Sequence, residues 1–208
     1  MEKIIFATGN AHKMTEIRMI LADLGVEILS QAEAGIQADV VENGKTFEEN
    51  ALIKATQIAK AAAAMPEYKN VVVLADDSGL EIDYLNKEPG IYSARYMGED
   101  TSYDIKNQAL LDRLEGVEDD KRTARFVCAI AAAFPDGSTE VVRGTMEGII
   151  GHEIAGENGF GYDPIFYLPE YGCTSAQLPP EKKNELSHRG EGLRKMRVIL
   201  EKRQKGRQ

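Results

Sequence analysis

Three stretches of this chain have residue types suited to chemistry. The first is TGNAHK, Thr8 to Lys13, which follows the apolar run KIIFA and precedes an amphipathic segment. Backbone N–H groups at a helix start are unpaired and partially positive, so a glycine-containing turn there lets a phosphate approach closely while a lysine adds a full charge. The plainer alternative is that Asn10 caps the helix and Lys13 is a solvated lysine; the GxxxxGK[ST] pattern of a Walker A loop is absent. The second stretch is ADDSG, with Asp76 and Asp77 at the C-terminal end of VVVLA, where open α/β sheets place ligands. Neighbouring side chains of an extended chain face opposite ways, so one of the two enters a site directly; the alternative is a loop cap. Were Glu42, in the loop before the next helix, to approach the same point, two carboxylates would make a hard oxygen site suited to Mg²⁺.

The third set is cationic and aromatic: Lys54, Lys183, His188 and Arg189, with the run GENGFGYDPIF. A single lysine is ordinarily a solvated surface residue. Three glycines interleaved with Phe160 and Tyr162 are costly for regular structure and suggest backbone shaped around a flat ligand, with a plain turn or bulge as the alternative. A nucleoside triphosphate brings about four negative charges, and one charge pair at ~4 Å amounts to ~4 kcal/mol at an effective dielectric near 20. A chain of net charge −9 needs local cations to accept it, and Lys13, Lys54, Lys183 and Arg189 are the candidates.

The elements that must hold these residues alternate. Ile4 to Ala7 reads as a buried strand, and Met14, Ile17, Leu21 and Leu24 recur on one helical face that ends at Gly25. VEIL is a second strand; Thr46 with Glu49 predicts a capping box opening an alanine-rich helix to about Met65, where Pro66 stops it. VVVLA is a buried strand, LEIDYL a further half-exposed one, and YDIKNQALLDRLEG a helix. TARFVCAIAAAF and STEVVRGTMEGII flank PDGS as a long hairpin, and a final helix from about Ser187 carries Leu193, Met196 and Leu200 on its apolar side. Helices and strands that alternate early and pair antiparallel later predict a mixed α/β sheet.

Composition bounds the rest. With 208 residues, 43% hydrophobic and 28% charged, the chain is expected to form one globular domain, with room for two lobes. Its start fits neither a signal peptide nor an anchor, and no apolar run approaches the ~20 residues of a membrane helix, so a cytoplasmic home without membrane contact is expected. Residues 181–208 hold ten Lys or Arg against four Asp or Glu, +6, which leaves −15 for residues 1–180. Such an acidic surface argues against nucleic-acid binding. Cys128 lies inside an apolar run and far from Cys173, so both are expected to be reduced and Cys128 to be core; the three histidines are too scattered for a zinc site.

FATGNAHKMTEI, TFEENALIKA, LADDSGLEIDYLNKEPGIYSARY, GFGYDPIF and EKKNELSHRG, in this order from residue 6 to 190, together give the chain a specific resemblance to the inosine triphosphate pyrophosphatases, the non-canonical purine NTP pyrophosphatases. No one of these segments alone would carry it. The resemblance implies hydrolysis of ITP, dITP and XTP to the monophosphate and pyrophosphate with Mg²⁺, cleansing the nucleotide pool. It implies a two-lobed α/β fold with a long mixed sheet flanked by helices, substrate in the cleft between the lobes, and a homodimer. By motif, Thr8, Gly9, Asn10, Ala11, His12 and Lys13 match the phosphate-binding turn, Lys54 a phosphate contact, Glu42 and Asp77 the metal ligands, and Ser78 a substrate contact. Asp77 also matches the proton acceptor, and Phe160, Gly161, Tyr162, Asp163, Lys183, His188 and Arg189 match the groups around the base. Ala11 and His12 stand at positions that vary in the family, and His12 is given no side-chain role. The basic tail over about 202–208 lies outside the motifs and is expected to lack order.

The implied mechanism has Mg²⁺ on Glu42 and Asp77 while Asp77, with Asp76 able to share the work, activates a water against the α-phosphorus. Arg189 and the N–H groups of GFGYD are candidate donors to a purine 6-oxo oxygen, which adenine lacks, and Phe160 a stacking surface. Two other classes compete. A non-catalytic nucleotide-binding regulator would have no need of the carboxylates, and a haloacid-dehalogenase phosphatase would have DxD after its first strand, where TGN stands. A pyrophosphatase of similar fold acting on modified pyrimidines is the remaining enzyme alternative.

Overall fold

Strand β1, Lys3–Phe6, buries Ile4, Ile5 and Phe6 completely. A strand apolar on both faces belongs inside a covered parallel layer, and β1 lies between two parallel partners, β2 (Glu27–Ser30) and β3 (Val72–Ile82). The sheet continues through β4 (Thr123–Ala133), β5 (Thr139–Ile150), β6 (Phe166–Leu168) and β7 (Cys173–Thr174) in the order β2-β1-β3-β4-β5-β6-β7. β6 runs antiparallel to both of its neighbours, so the seven-stranded sheet is mixed, as expected. The helices are α1 (Ala11–Ile20), α2 (Phe47–Ala63), α3 (Tyr103–Arg113), α4 (Pro180–Leu186) and α5 (His188–Lys205). This computed structural model describes residues 3–206. Met1, Glu2, Arg207 and Gln208, and with them the extreme start and the end of the basic tail, lie outside the described residues.

The chain divides into two compact units: Met1–Asp77, Cys128–Gly144 and Arg189–Gln208 in the first, Ser78–Val127 and Thr145–His188 in the second. In the first, α1 lays Met14, Ile17 and Leu21 and α5 lays Leu193, Met196 and Leu200 into one core with Ile4, Phe6, Leu74, Cys128 and Ile130. These are the helical faces that the sequence spacing predicts. In the second, Leu110, Leu111 and Leu114, at the end of α3, pack with Leu80, Ile82, Phe126, Ile150, Tyr162 and Phe166. Arg122, 2% exposed, pins that unit by donating to the carbonyls of Leu114, Ile150 and Gly151 at 2.6, 2.7 and 2.5 Å. Both cysteines are free, and Cys128 is fully buried.

Three local expectations change. VVVLA and LEIDYL are one strand: β3 passes through Asp76, Asp77 and Ser78 without turning, because the acidic pair finds partners beside the strand and no loop is needed to solvate it. The capping box of α2 is half formed: the Thr46 hydroxyl accepts from the Glu49 N–H at 3.1 Å, but the Glu49 carboxylate accepts from Lys45 N–H at 2.5 Å rather than from Thr46. The final helix is preceded by α4, with extended Ser187 between them, and it continues through Lys205 into the tail segment expected to lack order. Among the described residues no helix is long and apolar enough to cross a membrane.

Candidate active site

In the first unit, the turn after β1 is built from its own polar side chains. Thr8 is buried, and its hydroxyl accepts from Asn10 N–H at 3.2 Å; the Asn10 amide oxygen then accepts from Lys13 N–H at 3.1 Å, an N-cap. Asn10 and Ala11 are exposed, and a Cβ on Gly9 would meet nothing within 4 Å, so the mouth of α1 is open. His12 is exposed too.

Lys13 Nζ turns inward from this turn to the Asp76 carboxylate, 2.9 Å away. Asp76, at 0% exposure, also receives the Arg189 guanidinium at 3.4 Å, and Arg189 reaches Glu16 on α1 as well. Burial by itself raises the Asp76 pKa; Lys13, Arg189 and Lys54 more than offset it and hold the carboxyl well below the usual carboxylate range. Cys128 Sγ lies 4.0 Å from the same carboxylate, and burial first, then Asp76, pushes its thiol up to about 12.

Asp77 is treated oppositely by its surroundings. Its side chain is half-buried, one oxygen accepts from Asn50 Nδ2 at 3.0 Å, and its pKa is pushed up to about 6. Burial is the main cause; the Asn50 bond and the charges of Lys54 and Lys13 oppose it, and Glu42 reinforces it. The other oxygen of Asp77 makes no hydrogen bond among the described residues. Lys54, one turn beyond Asn50 on α2, binds Glu42 at 3.1 Å and the Asp76 carbonyl at 3.0 Å. Within this unit Lys13, Lys54 and Arg189 thus meet at Asp76, and Lys54 ties Glu42 to them, with Asp77 next in the chain.

In the second unit, Asp163 collects three donors. Lys183 Nζ, 4% exposed, donates at 2.6 Å and Phe160 N–H at 2.9 Å to one oxygen, and Ser175 Oγ donates at 2.7 Å to the other. Lys183 also lies 5.1 Å from the centre of the half-buried Phe160 ring. Gly161 is half-buried, Tyr162 donates its hydroxyl to the Ser93 carbonyl at 2.7 Å, and His188 is buried and stacked on Phe126 at 4.9 Å. Ser78, half-buried on β3, opens this unit. The motif residues thus fall into two groups. Arg189, expected around the base, pairs with Asp76 and Glu16 in the first unit.

Sequence reasoning missed Asn50, Glu16 and Ser175. Asn50 stands four residues before Lys54 and Glu16 three after Lys13, spacings that put each pair on one helical face; a buried polar residue at such a spacing was a readable signal. Ser175 carries none, because only the folded chain brings it to Asp163.

An open turn, adjacent aspartates and buried cations on a mixed α/β sheet are features that comparison with known proteins places in one class of proteins, the Ham1 family. Residues 4–199 match the Ham1 family, to which this chain belongs. A dITP/XTP pyrophosphatase of Clostridium perfringens is 49% identical over 96% of this chain and 98% of its own length, and one of Bacillus subtilis is 44% identical over 97% and 98%. The structure of a HAM1 protein from Coxiella burnetii superposes with a TM-score of 0.84 at 39% identity, covering 97% of this chain and 100% of that one. The Ham1 protein of Staphylococcus aureus gives 0.83 at 42%, with the same coverage.

Proposed function

We propose that the protein hydrolyses non-canonical purine nucleoside triphosphates, ITP, dITP and XTP, to the monophosphate and pyrophosphate. The observation that carries the reading is the pair of adjacent aspartates held at opposite protonation tendencies beside the open α1 turn. Asp76 is held well below the usual carboxylate range by Lys13, Arg189 and Lys54, while burial raises Asp77 to about 6 with no cation bound, which makes Asp77 the better proton acceptor of the two.

Lys13, Lys54 and Arg189 face Glu16, Glu42, Asp76 and Asp77 here, so the protein groups alone do not make this cluster cationic. A triphosphate then needs a further positive charge. Glu42 and Asp77 suit a hard divalent cation such as Mg²⁺, which is held by one or two carboxylates together with substrate phosphates. Glu42 adds to the cost of ionising Asp77, a cost that a bound cation removes. When bound, Mg²⁺ would neutralise charge on the phosphate oxygens. Gly9, Asn10 and Ala11 present the helix mouth to phosphate, and Lys13 and Lys54 add charge from the Asp76 carboxylate and the Asp76 carbonyl. Asn50 fixes one Asp77 oxygen, and the other accepts the proton of a water that attacks the α-phosphorus as the pyrophosphate leaves.

The base falls to Phe160, Gly161, Tyr162 and Asp163, with Lys183 and His188 supporting them and Ser78 a further substrate contact. With Arg189 committed to Glu16 and Asp76, donation to a 6-oxo oxygen passes to the N–H groups of Gly161 and Tyr162, which make no hydrogen bond among the described residues. Adenine would leave them unpaired, a mismatch able to discriminate by ~10⁴. The same reading takes residues 1–208 as one pyrophosphatase domain acting as a homodimer in the cytoplasm, with neither nucleic acid nor membrane as partner. Sedimentation at twice the subunit mass tests the dimer. The function is tested by incubation with dITP, XTP, ATP and GTP plus Mg²⁺ and separation of the products. Monophosphate and pyrophosphate from dITP and XTP are expected; orthophosphate release, or equal rates with ATP, would overturn it.

A further inference from the structure

We propose that Ser175 and Asn107 are positioning residues that preset the Gly159–Asp163 turn for a purine base, an inference that rests on the function proposed above. Gly159 and Gly161 both hold left-handed backbone, at φ +76° and +70°. Two such glycines in three residues give the free chain many alternatives, so this turn keeps one shape only if other groups hold it.

The holding groups can be traced. Asp163 turns back to accept the Phe160 N–H, closing the turn across three residues at 2.9 Å. That carboxylate lies so close to Gly159 that a Cβ there would come within 2.2 Å of its Oδ2 and 2.9 Å of Lys183 Nζ. Ser175, at 0% exposure, donates to the opposite oxygen at 2.7 Å and so fixes the rotation of the Asp163 carboxylate. Asn107 grips the other side of the turn, its Nδ2 donating to the Gly161 carbonyl at 3.1 Å. Fixing that carbonyl fixes the peptide plane that carries the Tyr162 N–H. Tyr103, edge-on to Tyr162 at 5.2 Å, closes the same side.

Asn107 is 1% exposed, and its Oδ1 has no hydrogen-bond partner among the described residues. A buried amide with half its capacity unmet is a poor choice for stability, and leucine would suit the inner face of α3 better. Its one bond, to the turn, accounts for its presence. The bonds of Ser175 and Asn107 to Asp163 and Gly161 are made within the second unit, so their effect should be confined to base recognition.

The test compares Ser175→Ala, Ser175→Thr, Asn107→Leu and the wild-type protein in three measurements: amide hydrogen exchange of peptides covering residues 157–163, KM and kcat for dITP, and inhibition by inorganic tripolyphosphate, which has no base. Ser175→Ala and Asn107→Leu should exchange faster in this peptide and raise KM about tenfold with kcat within about twofold. Inhibition by tripolyphosphate should be unchanged, and Ser175→Thr, which keeps the hydroxyl, should restore KM. Unchanged exchange overturns the proposal, as does faster exchange with unchanged KM. A parallel loss of tripolyphosphate inhibition also overturns it, because the defect would then be a general loss of fold. A wild-type protein inactive on dITP would defeat the function reading instead, and exchange with calorimetric binding of IMP would then decide the role of the two residues.

Discussion

In the first unit Lys13, Lys54 and Arg189 are shared among Glu16, Glu42, Asp76 and Asp77, whereas in the second Lys183 meets Asp163, whose remaining capacity goes to the neutral donors Ser175 and Phe160 N–H. Asp76 and Asp163 are both buried, but their surroundings use that burial differently. The second is balanced, and its bonds set the shape of a turn. The first is uneven: the cations concentrate on Asp76, and Asp77, next to it in the chain, is left with an amide and the raised pKa. Unequal sharing of charge gives a reactive group, and equal sharing gives a rigid one.

That difference is broken most severely at its most loaded member. Asp76→Ala leaves Lys13 and Arg189 without the carboxylate between them, and loss of one partner of a buried pair costs about 3–5 kcal/mol. Asp163→Ala removes the one carboxylate of a cluster whose other donors, Ser175 and the Phe160 N–H, are neutral, and should fall at the lower end of that range. Urea unfolding of the two variants reads the contrast directly; equal midpoints would mean that the two clusters carry the same load.

A smaller effect, and of opposite sign, is expected at Asp77. A carboxyl whose folded pKa is raised binds its proton more tightly folded than unfolded, so the folded state is penalised as pH rises from about 4 to about 6 and carries the full penalty above that. The interval corresponds to at most about 3 kcal/mol. In EDTA at pH 7, Asp77→Asn should therefore unfold at higher urea than wild type, with the difference gone at pH 4. The same substitution should lower kcat by about 10²–10⁴, the usual contribution of a general base. Added Mg²⁺ should stabilise wild type and leave the variant little changed. A variant less stable than wild type at pH 7 would place the strain elsewhere in the cluster.

Much of this contrast was legible before folding. Period-three and period-four apolar spacing located α1 and α5, and the turn chemistry of TGNAHK gave the cap on Asn10. Strand alternation suggested that Asp76 and Asp77 differ, and one proved fully buried while the other is half-buried. What escaped was set by contacts between distant segments. Arg189 stands beside His188 in the chain, yet it joins Glu16 and Asp76, 173 and 113 residues away, while His188 stacks on Phe126. No local pattern could separate two adjacent residues into different cores. The continuity of β3 was missed for a related reason, since two aspartates in a row read as a strand end unless their partners are known.

The smallest expected effect separates the two units without disturbing either core. Asn10 caps α1 and Ser102 caps α3 by the same device, a side-chain oxygen accepting the N–H three residues on, at 3.1 and 3.4 Å. Replacing either with alanine should cost about 1 kcal/mol, less at Ser102, whose bond is longer. Their effects on catalysis should diverge. Asn10 also shapes the open turn assigned to the phosphates, so Asn10→Ala should raise KM for dITP and weaken inhibition by tripolyphosphate together, because both depend on that helix mouth. Ser102→Ala, at a cap outside that turn, should leave both constants alone despite its own loss of stability. If the two variants shift KM alike, the phosphates are not held at α1, and the division of labour between the clusters fails with that assignment.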